Sequence, residues 1–221
     1  MCGRFTLFSS IEELSRRFGF AADFDQIRPE YNVAPSQQVL VVTDHRGSAE
    51  AEFMRWGLIP HWVTRGPKSS SFINARIETA NIKPSFKSAF RSKRCLIITN
   101  GFYEWHRHDE NATPYYFQLE YGQPFAFAGI WENWSDPQGN KVKSCAILTR
   151  EATWPVKSIH SRMPAIVPPE NEPMWTEVQL NKPSDIKKLL LGSPPTKMES
   201  WKVSDSVNSS TNNDSSCIDR T

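Results

Sequence analysis

The runs RCLIIT, GFYEW, YYFQL, FAFAGIW and KSCAILT are short, rich in β-branched and aromatic residues, and separated by Asn, Gly, Pro and Asp clusters. Such residue types suit a pleated, half-buried surface, and the clusters between them suit turns. QVLVVT and AEFMRW read the same way around DHRGSAE, whose Gly47 makes a hairpin plausible. The mass of the chain is therefore sheet. Helix signals are few. Ser9 or Ser10, followed three residues on by Glu12 or Glu13, makes a capping-box pattern with Ile11, Leu14 and Phe18 on one face. PSFKSAFR and PSDIKKLLL add two more helical stretches, the second with Ser184 as its cap and Gly192 as its stop. No repeat or linker divides the 221 residues, which suffice for one domain with a sizeable core. The expectation is one α+β domain over residues 1–203, a curved and mainly antiparallel sheet system with peripheral helices. Residues 204–221 are polar and serine-rich enough to predict a partly disordered tail.

The hydrophobic fraction of 38% suits a soluble globule. No apolar run approaches the roughly 20 residues needed to span a bilayer. SSIEELSRRF stands where a signal peptide would carry its apolar stretch, so the expected location is intracellular and cytoplasmic. Cys2, Cys95, Cys145 and Cys217 form no CxxC pair and are expected to be thiols. No Cys or His pair has zinc-finger spacing, and His106 and His108 in HRHDEN read as part of a solvated loop, so no metal or cofactor is expected. A net charge of +2 does not by itself announce a nucleic-acid binder. Cations nevertheless sit beside aromatics and turn residues in CGRF, HWVTRGPK, NARIET, SFKSAFRSKR and HSRMP, in a chain with 8 tryptophans. Aromatic platforms interleaved with cations suit single-stranded nucleic acid, where bases stack and phosphates pair, although tryptophans also simply fill cores.

The opening MCGRFT puts a cysteine where removal of the initiator methionine would leave it first. Cys2 would then carry both a thiol and a free α-amine. The reference pKa of such an amine is about 7.7–8.0, so a useful fraction is neutral near pH 7, whereas lysine at about 10.4 is almost wholly protonated. The amine can attack an aldehyde to form a Schiff base, and the thiol can close the product to a thiazolidine. Alternatively the thiol can attack a carbonyl with the amine as its base. A small buried hydrophobe is the ordinary reading of a free cysteine.

Other short words look like core or turn when taken singly. Glu104 lies between aromatics in GFYEW, where burial without a partner is costly, and a lone His160 in IHSRMP would usually be structural. Taken in order, MCGRF, YNVAP, WGLIPHW, INARIET, GFYEW and HSRMP resemble the SRAP family (SOS response-associated peptidase), from residue 2 to about Val203. The resemblance implies bifurcated, mainly antiparallel β-sheets closed into a pseudo-barrel. It also implies a protein that captures the ring-opened aldehyde of abasic sites in single-stranded DNA on its N-terminal cysteine, shielding the lesion as a crosslink. Members are described as cleaving their own leading peptide to expose that cysteine. By the same resemblance Cys2 is the crosslinking nucleophile, Asn74 and Glu104 are polar groups around its amine, and His160 is the acid/base group. Arg4, Arg76 and Arg162 fall at basic positions that hold phosphates, with Trp62 and Thr149 as further DNA-contacting positions. The partner is then single-stranded DNA and the protein a monomer. Family members usually carry a Val-Asn stretch before a proline-containing strand; here Val207 and Asn208 remain and the proline is missing.

Two rival readings stand beside this one. Glutamine amidotransferases with an N-terminal nucleophile also begin MCG and carry an RGPD-like turn, but here Arg65, Gly66 and Pro67 precede Lys68. A non-enzymatic damaged-DNA binder would need the aromatic and basic groups without chemical work from Cys2, Glu104 or His160. A nucleophile-elbow serine hydrolase is excluded, since no GxSxG occurs.

Overall fold

In a computed structural model that describes residues 2–21, 27–45, 47–64, 71–108, 111–136, 138–177, 182–191 and 197–221, the β-rich runs become strands. In chain order these are β1 (Phe5–Leu7), β2 (Glu30–Val33), β3 (Gln38–His45), β4 (Ser48–Trp56), β5 (Asn74–Arg76) and β6 (Arg94–Thr99). There follow β7 (Gly101–His108), β8 (Asn111–Leu119), β9 (Phe125–Ser135), β10 (Lys141–Glu151), β11 (Arg162–Pro164) and β12 (Met198–Lys202). The helices are α1 (Ile11–Phe18), α2 (Ile77–Ala80), α3 (Pro84–Ser92), α4 (Glu172–Thr176) and α5 (Pro183–Leu191).

Five strands close a ring. β10 pairs with β4, then the ring runs through β3, β6 and β9 and returns to β10. Every pairing in it is antiparallel except β4 with β10, whose parallel register sets Ser144 beside Arg55 and Cys145 beside Trp56. Closure leaves these strands without a free edge along the paired stretch. Past the ring β10 continues alone and acquires new neighbours, β5 in parallel and β11 antiparallel, which is the bifurcation. A second sheet, in the order β12-β8-β7-β1-β2, lies against the ring.

Strand alternation divides the apolar side chains into two cores. Val39, Val41, Cys95, Ile97, Phe127, Cys145 and Ile147 meet Phe5, Phe102 and Phe117 of the second sheet. Leu40, Val42, Leu96, Ile98, Ala146 and Leu148 lie instead with Leu14, Phe90, Trp175 and Ile186 from the helices. Gly129, inside FAFAGIW, has no room for a side chain: a Cβ there would fall 2.7 Å from Cys95 Sγ and 2.8 Å from Ile97 Cγ1.

Local signals resolve to particular residues. Ser10, rather than Ser9, caps α1, its hydroxyl accepting from Glu13 N at 3.3 Å, and Gly19 ends the helix in the left-handed conformation. α5 begins at Pro183, so Ser184 lies inside its first turn instead of capping it, and Gly192 falls outside the described residues. The solvated loop expected at HRHDEN is shorter than its polarity suggests. β7 runs to His108 and β8 starts at Asn111.

The larger correction concerns residues 204–221. They are folded, with short 3₁₀ turns at Asp205–Asn208 and Ser215–Ile218 and with Val207 and Cys217 buried. Asn32, only 1% exposed, donates its side-chain amide to three carbonyls of this segment, Asn212 at 2.8 Å, Ser209 at 3.0 Å and Val207 at 3.1 Å. Asn213 returns the contact, its Oδ1 accepting from Tyr31 N at 2.7 Å and Asn32 N at 2.9 Å. Polar composition misleads here because amide-to-backbone bonds substitute for apolar burial.

Candidate functional site

Cys2 is held by its backbone. Tyr103 N on β7 donates to Arg4 O at 3.1 Å, continuing the β1–β7 ladder toward the N-terminus, and Asn74 Nδ2 donates to Cys2 O at 2.8 Å. Asn74 is itself fixed by β5, where it pairs with Ile147 of β10. The Asn74 Oδ1 is buried with no hydrogen-bond partner among the described residues. The Cys2 side chain is fully buried beside Phe5, Val33 and Trp56, and its Sγ donates weakly to Arg4 O at 3.6 Å. Burial pushes the thiol well above its ordinary pKa, and the nearby Glu104 carboxylate raises it further, so the sulfur is a neutral thiol at pH 7.

Glu104 enters from β7 and is 2% exposed. Burial raises its pKa, and nearby positive charge, including His160, pulls the other way. His160 sits just before β11. Its Nδ1 lies 2.9 Å from both the amide nitrogen and the carbonyl oxygen of Arg162. A neutral ring accepts the amide N–H there, and an imidazolium donates to the carbonyl, so Nδ1 is occupied in either charge state.

Glu104 and His160 share an open groove of about 800 Å³, lined also by Trp105, His106, Ser161 and Asn208. Asn208 is the residue that sequence reasoning left in the tail. Its Oδ1 accepts from Trp105 Nε1 at 2.7 Å, and its carbonyl accepts from Arg4 at 3.5 Å. The retained Val207–Asn208 pair was the signal for it, with Val207 as the buried anchor and Asn208 the exposed arm.

The cationic positions divide. Arg76 is exposed at the N-terminus of α2, in register with Thr149 of β10. Thr149 also pairs with Pro164 of β11, so β10 brings Arg76, Thr149 and the Arg162 strand together. Arg162 is committed internally. It grips Glu78 with two bonds, 2.7 and 3.0 Å, and donates to Thr149 O at 2.7 Å and Oγ1 at 3.2 Å. Glu78, which stands with Asn74 and Arg76 inside NARIET, is therefore a residue beside the site to which sequence reasoning gave no role. Arg4 is half-buried, and its guanidinium reaches Gly3 O as well as Asn208 O. Trp62 lies on a different segment, the turn after β4, with 53% of its surface in solvent.

Arg65, Gly66, Pro67 and Lys68, which carried the amidotransferase comparison, lie outside the described residues, as does Met1. Among the described residues no three His, Cys, Asp or Glu gather as a metal site requires, and no helix is long and apolar enough to cross a membrane. The four cysteines are free and buried.

Comparison with known proteins supplies the family. The chain is 39% identical over 226 residues to the abasic site processing protein YoqW of Bacillus subtilis, covering 99% of each. It is 26% identical to the abasic site processing protein YedK of Escherichia coli, covering 91% of this chain and 90% of that one. A crystal structure of a protein from Bacteroides thetaiotaomicron superposes with a TM-score of 0.87 at 26% identity, covering 100% of both chains. The model of the SOS response associated peptidase (SRAP) family matches residues 1–210, a span that takes in Cys2, Asn74, Glu104, His160 and Asn208, and the chain belongs to that family.

Proposed function

We propose that this chain processes abasic sites in single-stranded DNA, joining the ring-opened sugar to Cys2 as a thiazolidine once Met1 is removed, and that it acts as a monomer. The observation that carries the proposal is a chain of neighbours: Cys2 is held on Asn74, the Glu104 carboxylate lies close enough to act on the Cys2 thiol, and Glu104 shares a groove with His160. The abasic site processing relatives support the substrate class.

The chemistry follows from the charge states. An abasic sugar is mostly a closed hemiacetal, which opens when a proton reaches the ring oxygen and another leaves the C1′ hydroxyl. His160 suits that exchange, working through Nε2 because Nδ1 is engaged with Arg162. The first nucleophile is the α-amine, not the thiol. The reference pKa of an α-amine is about 7.7–8.0, whereas burial keeps the Cys2 sulfur protonated. Glu104 takes the ammonium proton and returns it to the carbinolamine hydroxyl, which departs as water. Asn74 Oδ1 is the acceptor that orients the remaining N–H. The thiol then adds across the C=N bond: the sulfur–carbon bond forms, the thiol proton ends on nitrogen, and one water is lost overall. Half-buried Arg4 and exposed Arg76 and Trp62 serve phosphates and stacked bases, with Thr149 and Arg162 bracing the floor beside them. Release of Met1 by the chain's own thiol would make the family's peptidase activity the first step of the same pathway.

The test is a denaturing gel after incubation with an oligonucleotide bearing one abasic site. Wild type gives a heat-stable shifted band and an intact mass lacking Met1. Cys2→Ala gives none, retaining at most an adduct that borohydride must trap, and His160→Ala slows formation by about 10²–10⁴. A heat-stable Cys2→Ala band, formed as fast as wild type, would overturn the assignment.

A further inference from the structure

We infer that Asn208 is a substrate-binding residue, its side-chain amide donating to an oxygen of the DNA strand in the groove beside Glu104 and His160. The inference rests on the function proposed above and names a contact within that site.

The orientation of this amide is dictated by its neighbour. An indole N–H donates and cannot accept. Trp105 Nε1 lies 2.7 Å from the Asn208 side chain, so the atom facing it must be Oδ1, and Nδ2 must point the other way. Neither N–H of that Nδ2 has a partner among the described residues, and Asn208 is exposed on the groove wall. Two donors are thus presented, without net charge, where a phosphate, sugar or hydroxyl oxygen would lie.

The rest of the segment holds this arm still. Val207 is buried with Tyr103, Tyr116 and Val203, and the Asn32 amide spans the carbonyls on either side of Asn208, Val207 O and Ser209 O. Arg4 meets the Asn208 carbonyl itself. A side chain merely decorating the surface would not require its backbone and its acceptor to be fixed from three directions. Preorganised donors lose little entropy on binding, which is where affinity is gained.

Two oxygens fit this chemistry, a phosphate oxygen and a hydroxyl of the opened sugar. The experiment separates them. Binding of an intact single strand and of an abasic strand is measured at equal salt in a Cys2→Ala background, where no thiazolidine forms, for Asn208, Asn208→Asp, Asn208→Ala and Ser209→Asp. Asn208→Asp keeps the acceptor for Trp105 and loses only the groove donors. Asn208→Ala loses both. Ser209→Asp places the same charge one residue away.

The inference expects Asn208→Asp to weaken binding about tenfold or more, at least as much as Asn208→Ala and well beyond Ser209→Asp. Loss on both strands alike identifies a phosphate oxygen, and loss on the abasic strand alone identifies the sugar. Wild-type affinity in Asn208→Asp, or a loss no larger than that of Ser209→Asp, overturns the inference. A protein with Cys2 intact that binds abasic DNA but yields no covalent band overturns the proposed function instead, leaving the Asn208 comparison readable.

Discussion

Replacing Asn32 tests whether the last eighteen or so residues are a strap over the site or an adherent tail. Its Nδ2 faces three carbonyls at 2.8, 3.0 and 3.1 Å. An amide has two N–H groups, so these amount to one ordinary bond and one shared between two acceptors. At roughly 1 kcal/mol net each, Asn32→Ala removes about 2 kcal/mol, and a carbonyl left buried without a donor adds about 1–2 more. The expected cost of about 3–4 kcal/mol falls on docking of residues 204–213. Amide hydrogen exchange there should accelerate by about 150- to 700-fold, at 1.4 kcal/mol per decade. Asn32→Asp should be worse than Asn32→Ala, because it keeps the shape and turns an oxygen toward three oxygens. Exchange mass spectrometry of the peptide spanning 204–213 reads the effect directly, alongside the crosslinking rate. Exchange within threefold of wild type in Asn32→Asp would refute the reasoning.

Glu104 and Glu78 give two further expectations. Burial raises the Glu104 pKa in the folded protein, so between its unfolded value and that raised value the native state holds more protons than the unfolded chain. Stability then falls as pH rises through the folded pKa, and the gain of Glu104→Gln over wild type in urea unfolding should be absent near pH 4 and widen toward pH 8. A gap that stays constant with pH would contradict this. Glu78 holds Arg162 across a partly exposed bidentate contact, and Glu78→Gln should release that cation to phosphate at a stability cost under about 1 kcal/mol. The slope of log affinity against log salt for an unmodified single strand should steepen by about 0.7, and an unchanged slope would show that Arg162 stays committed to Thr149.

The sheet was legible because it is built from local signals: β-rich runs, a glycine hairpin between β3 and β4, and a serine cap on α1. What joins those strands was not. The parallel pairing of Trp56 with Cys145, and of Asn74 with Ile147, is decided by tertiary packing between segments far apart in the chain, and neither partner advertises the other. Cys2, Asn74, Glu104 and His160 were named from ordered sequence words, and the structure gives the first two a direct contact and the last two a shared groove. Glu78 and Asn208 were given no role in the site, for different reasons. Glu78 on a helix looks like any solvated carboxylate until Arg162 arrives from another strand. Asn208 sits in a segment whose fold depends on asparagine amides, which follow neither a helical nor a strand period.

The meeting of Arg4 with Asn208 also has a temporal side, since the two are separated by 204 positions. Residues leave the ribosome one after another, and at about 5–20 per second roughly 10–40 s pass between the emergence of the first and that of the second. During that interval Cys2 is already made while the segment whose Asn208 carbonyl meets Arg4 is still to come. Under the function proposed above, a nascent or prematurely terminated chain would carry the amine and thiol of Cys2 without the segment that holds Asn208. On that reading synthesis itself would be the arming step, complete only when the chain has been carried past Asn208.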